Sequence, residues 1–69
     1  MYRVLGCYND GTTCVLTESA DWEWCRVFAK DAFDQADFRG SSLVATLVQW
    51  LQEDGRWVPQ KMFTRGINF

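Results

Sequence analysis

The stretch from Ser19 to Phe38 constrains the fold most, because apolar residues recur along it at helical spacing between two segments that read as hairpins. At about 100° per residue, Trp22, Cys25, Phe28, Ala29, Ala32, Phe33 and Ala36 share one stripe. A stripe of that width covers a sheet. Ser19 is the expected N-cap, since its hydroxyl can accept from an unpaired N–H of the first turn. Asp21 and Glu23 place negative charge at the positive end of the helix dipole. Arg39 and Gly40 suit the other end, with a left-handed cap at the glycine. The opposite side carries Glu23, Lys30, Asp31, Asp34 and Asp37, yet also Trp24, Val27 and Phe38. Trp22 and Trp24 are two positions apart, so both cannot face inward. Either Trp24 and Val27 project outward or the termini fold over them.

Ahead of the helix, residues 2–8 and 12–18 are rich in β-branched and aromatic residues, with the turn signal Asn9-Asp10-Gly11 between them. A two-residue Asp10-Gly11 loop sets Cys7 opposite Cys14, Leu5 opposite Leu16 and Arg3 opposite Glu18. A three-residue loop with a bulge at Gly11 shifts that register by one. After the helix, residues 41–52 fit two patterns. As a strand they put Val44, Thr46, Val48 and Trp50 on one face, with Leu43, Ala45, Leu47 and Leu51 on the other. As a helix they align Leu43, Val44, Leu47, Val48 and Leu51. The strand is the reading adopted, because Asp54-Gly55 followed by Arg56-Trp57-Val58 reads as a second hairpin and needs a strand before it. The last strand is expected over residues 56–65, with Pro59 at an edge or bulge. A short tail follows, its terminal Phe69 placed against the body. The expected fold is one α+β domain over residues 1–69, ββαββ, with a four-stranded antiparallel sheet and one helix packed across one face.

A chain of 69 residues buries only about 60% of its unfolded surface. Four Trp and five Phe are more than so small a core can hide, so some rings are expected to line a partner surface. Residues 1–38 hold three cations against seven carboxylates, and residues 39–69 hold four against two. An acidic helix face and a mildly basic last hairpin follow. The net charge of −2 disfavours nonspecific binding to a phosphate backbone. The opening Met1-Tyr2-Arg3-Val4 is strand-like, and no apolar run is long enough for a leader or a membrane span. A cytoplasmic setting is therefore expected, with the three cysteines as reduced thiols. Cys7 and Cys14, about 5.5 Å apart across a hairpin, also fit a disulfide on geometry.

Catalytic chemistry finds little support. Histidine, the commonest general base and metal ligand, is absent from the sequence. Cys7, Cys14 and Cys25 lack the close pairing of structural zinc sites. Asp31, Asp34 and Asp37 line one helix face, where carboxylates are ordinarily solvated. No phosphate loop or nucleophile elbow occurs. No cofactor, metal or catalytic residue is assigned, and an enzyme is not expected. The residues assigned to partner binding are Trp24 and Val27, an apolar spot within the acidic rim of Glu23, Asp31 and Asp34, together with Trp50 and Trp57 beside the second turn. Trp50 and Trp57 could pack across that turn or stack nucleic-acid bases, but Arg56, Lys61 and Arg65 offer only a thin positive groove for the second role.

Met1-Tyr2-Arg3-Val4, the helix start near Ser19 and Glu53-Asp54-Gly55-Arg56-Trp57-Val58 together form a pattern that resembles short phage-encoded ββαββ proteins of the anti-CRISPR, anti-defence kind. The resemblance implies a non-catalytic inhibitor that occludes a host nucleic-acid-handling complex. An acidic member would meet a basic protein surface in the bacterial cytoplasm. A homodimer pairing through its open sheet face or an edge strand, and a nucleic-acid-binding accessory, are the alternatives.

Overall fold

Two turns of one design set the sheet. In the computed structural model, which describes residues 1–64 and the backbone of Ile67–Asn68, Gly11 N–H donates to Tyr8 O at 3.0 Å and Gly55 N–H to Gln52 O at 3.0 Å. Each glycine has a left-handed φ, +88° and +86°, which costs glycine little and other residues more. In each loop the preceding aspartate accepts from the residue after the glycine: Asp10 from Thr12 N–H at 2.9 Å, Asp54 from Arg56 N–H at 3.0 Å. Both are three-residue loops, so the two-residue register expected for the first hairpin does not form.

The first hairpin joins β1 (Tyr2–Tyr8) to β2 (Thr13–Ser19), and the second joins β3 (Leu43–Leu51) to β4 (Trp57–Thr64). Near the first turn Cys7 lies opposite Thr13, Gly6 opposite Cys14 and Leu5 opposite Val15. Leu16 is then an extra residue, and beyond it Val4 faces Thr17 and Arg3 faces Glu18. The bulge thus recovers the expected Arg3–Glu18 pair that the longer loop would have displaced. The second hairpin repeats the device: Gln49 faces Pro59, Gln60 is extra, and Val48 faces Lys61. Pro59 lies beside that bulge, where a missing ladder donor does least harm.

Residues 43–51 are a strand, not the alternative helix, and the ladder explains it. Seven of them pair with β1 from Tyr2–Trp50 to Tyr8–Leu43. Without them, β1 and β4 would lose their common neighbour. The four strands run β2-β1-β3-β4, antiparallel throughout, and carry one helix as expected. A two-residue β5 (Ile67–Asn68) adds itself to β4 through Phe63 and Thr64, where only a tail was expected. The expected contact of Phe69 and the role given to Arg65 lie outside the described residues.

The helix α1 (Trp22–Arg39) begins later than expected. Ser19 is held in the β ladder opposite Tyr2, so it cannot cap. Asp21 is the N-cap: its carboxylate accepts from Trp24 N–H at 3.1 Å, and Ser19 Oγ accepts from Asp21 N–H at 3.1 Å. At the other end Ser41 N–H donates to Ala36 O and Gly40 N–H to Asp37 O, the paired closure of a Schellman cap. Cys25, Ala29 and Ala36 are the buried positions, and Trp22, Phe28 and Phe33 pack at the margin of the core. Thr46, fully buried on β3, donates from Oγ1 to Ala29 O at 2.7 Å and fixes which sheet face the helix covers. Strand alternation about that bond puts Tyr2, Val4, Gly6, Val48 and Phe63 under the helix. It leaves Arg3, Leu5, Cys7, Leu47, Trp57 and Met62 on the face that no element covers among the described residues.

Candidate functional site

The outer side of α1 has a rigid aromatic anchor. Asp21 pins Trp24 by its backbone N–H, and the Trp24 indole stacks on Phe28, centroids 5.3 Å apart and planes 25° apart. Phe28 in turn packs against the buried core. Trp24 is nevertheless 49% exposed and Val27, one turn on, 51%. Neither is covered by a loop or by the N-terminus among the described residues. Trp22, two positions away, points inward against Tyr2 at 5.5 Å. Phe38 continues the outward stripe near the end of the helix and is 92% exposed.

Charge surrounds this patch, though not as a purely acidic rim. Glu23 is bridged by Arg26 through both guanidinium contacts, one of them Arg26 Nε to Glu23 Oε2 at 3.0 Å. That pairing holds the Glu23 carboxyl below its ordinary value and raises Arg26. Lys30 Nζ reaches Asp34 at 2.7 Å. Among the described residues Asp31 is in no ion pair. A shallow hollow of about 210 Å³ lined by Arg26, Val27, Lys30, Asp31 and Asp34 adjoins the patch, and another of about 280 Å³ lies between Asp31, Asp34, Gln35 and Phe38. The helix exterior beside Trp24 and Val27 is therefore an apolar stripe with mixed charge, its carboxylate excess there carried by Asp31. Helical spacing made the stripe legible, and the (i, i+3) and (i, i+4) spacings of Arg26 and Lys30 were the available signal for their pairing.

Trp24, Val27, Glu23, Asp31 and Asp34 thus come together on one surface, while Trp50 and Trp57 do not join it. Those two also fail to pack on each other. Trp50 pairs with Tyr2 and Val58 on the helix-covered side, whereas Trp57 pairs with Leu51 on the opposite side. Residues 50 and 57 differ by an odd offset in their ladder, and the pleat separates them. Trp57 is instead roofed by Arg3, whose guanidinium carbon stands 4.1 Å from the ring centroid while Nε donates to Gln49 Oε1 at 2.7 Å. Arg56 is turned toward Asp54 in the loop, and Lys61 lies on the helix side near the Phe63 ring at 5.5 Å. Arg56, Trp57 and Lys61 consequently form no shared groove for a nucleic acid.

The thiols are separate. Cys7 is on the uncovered face and Cys14 on the other, because the register sets them opposite Thr13 and Gly6 and not opposite each other. Both are free, as is the buried Cys25. Tyr8 Oη and Cys14 Sγ lie 3.4 Å apart at the surface. Burial, and secondarily Cys14, raises the Cys7 thiol; burial, and secondarily Asp21, raises Cys25. Among the described residues no helix is long and apolar enough to cross a membrane. No family model matches the chain, and no curated protein or solved structure matches it either.

Proposed function

We propose that this chain acts by stoichiometric binding to a larger protein, without catalysis, through the outer face of α1. The observation that carries the reading is Trp24: a large ring half out of the surface, stacked on a core residue and so spared most of the ordering cost of binding. Val27 extends the contact, and Asp31, in no ion pair among the described residues, gives it a preference for a basic partner surface. The partner class suggested by the ββαββ resemblance is a nucleic-acid-handling defence complex of a bacterial cytoplasm, which this chain would occlude.

The test uses the full chain as bait in bacterial lysate, followed by affinity measurement on whatever is captured. Trp24→Ala lowers the affinity by about 2 kcal/mol or more, roughly thirtyfold, as expected of an interfacial hot spot. Trp50→Ala leaves it unchanged. Wild-type affinity in Trp24→Ala would remove the helix face from the proposal.

A further inference from the structure

The face of the sheet away from α1 carries a continuous apolar row. Val15 on β2 faces Leu5 on β1, Leu5 faces Leu47 on β3, and Leu47 faces Met62 on β4. The row crosses all four strands without a polar interruption. Its members are half-buried or exposed, in contrast to the sealed Val4 and Val48 one residue away on the covered side. The rows beside it are mixed. Thr13, Cys7, Ala45 and Thr64 follow one another across the strands toward the Tyr8 end of β1, and Glu18, Arg3, Gln49 and Pro59 toward the other. An apolar centre with polar groups at its rim is how a protein interface is laid out.

We propose that this face pairs with the same face of a second copy of the chain, giving a two-fold dimer with the sheets stacked and both helices outward. Charge selects the second copy as the occupant. Among the described residues the face bears one cation and one carboxylate, Arg3 and Glu18, which are cross-strand neighbours, and Arg3 is already engaged by Trp57 and Gln49. A surface of no net charge sets no like charges against its own copy, and it offers nothing to the basic partner that the helix face would attract. A two-fold axis in the plane of the face, along the row or across it, lays one apolar row on the other. Sheets stacked in this manner stand about 10 Å apart.

Size sets the strength. Four strands at about 4.8 Å and seven residues at about 3.3 Å present roughly 440 Å² per copy, about 900 Å² in all. That is below the standard size of specific interfaces, in the class of weak, transient association, for which a dissociation constant in the micromolar range is expected. The dimer would display two copies of the Trp24 patch facing opposite ways, an arrangement suited to bridging two sites on an assembly.

Sedimentation equilibrium of the full chain from about 1 to about 500 µM brackets that range. The expected mass rises with concentration from 8.0 kDa to twice that value. Leu47→Glu raises the dissociation constant at least about a hundredfold, since each dimer would bury two carboxylates. Val15→Glu, at an exposed edge position where the fold tolerates charge, raises it at least about tenfold. Circular dichroism verifies the fold of each variant. Trp24→Ala leaves the dimer intact, so loss of partner capture and loss of the dimer are separable. A mass fixed at 8.0 kDa throughout, a dimer indifferent to Leu47→Glu and Val15→Glu, or one abolished by Trp24→Ala would overturn the proposal.

Discussion

Val4 and Val48 face each other across the middle of the sheet, and each stands seven positions before the turn glycine of its own hairpin, Gly11 or Gly55. The bulged residues Leu16 and Gln60 likewise each stand five positions after that glycine. The two hairpins are thus matched about a pseudo-two-fold axis that passes between the valines. Sequence similarity between them scarcely exceeds the Asp-Gly turns. What repeats is geometry: an equal loop and an equally placed bulge.

The two valines should therefore be of similar energetic importance. Both are fully buried, and truncation removes two methyl-sized groups in each case. Val4→Ala and Val48→Ala should each cost about 2 kcal/mol in urea unfolding. Because the residues touch one region of core, the double variant should depart from the sum of the singles. A cost confined to one valine would show that the pseudo-symmetry has no energetic counterpart.

Thr46 is the buried polar exception in the core, and its bond to Ala29 O ties the helix to the central strand. Thr46→Val keeps the volume but removes the donor. Ala29 O lies within the helix, so an intrahelical partner remains available to it. The expected loss is about 1 kcal/mol by denaturant titration, the net value of one buried hydrogen bond. An unchanged midpoint would mean that the bond selects the docking position without stabilising it.

The three thiols should differ in reactivity. Cys14 is exposed, Cys7 is half-buried with its thiol raised by burial, and Cys25 is sealed beneath the helix. Only thiolate reacts, so a disulfide reagent at mildly alkaline pH should modify Cys14 first, Cys7 slowly and Cys25 only on unfolding. Mass spectrometry of the labelled peptides reads the order. A Cys7–Cys14 crosslink forming in the folded protein would contradict the register.

Acid should weaken the fold through two exposed carboxyls. Hydrogen bonds from Thr12, side chain first and then backbone, hold Asp10 below its ordinary 3.8, and Arg26 holds Glu23 below 4.5. The unfolded chain then binds protons at a pH where the folded one does not. Their contribution is complete above those ordinary values and is lost as pH falls through the lower folded ones. Asp10→Asn with Glu23→Gln should lower the urea midpoint slightly at pH 7 and flatten its decline between pH 5 and pH 3, so that variant and wild type converge in acid.

Short-range patterning made much of this molecule legible. The 3.6-residue stripe located α1, the two Asp-Gly turns located the hairpins, and the two-residue offset of Trp22 and Trp24 required one ring to face out. Tertiary structure decided the rest, because each remaining feature depends on a ladder formed with a distant segment. Pairing with Tyr2 drew Ser19 into β2 and passed the cap to Asp21. The bulges at Leu16 and Gln60 reconciled three-residue loops with the central register, and so set Cys7 apart from Cys14. Association with β1 made residues 43–51 a strand. The pleat then sent Trp50 and Trp57 to opposite faces, an outcome of strand register that their nearness in sequence could not specify.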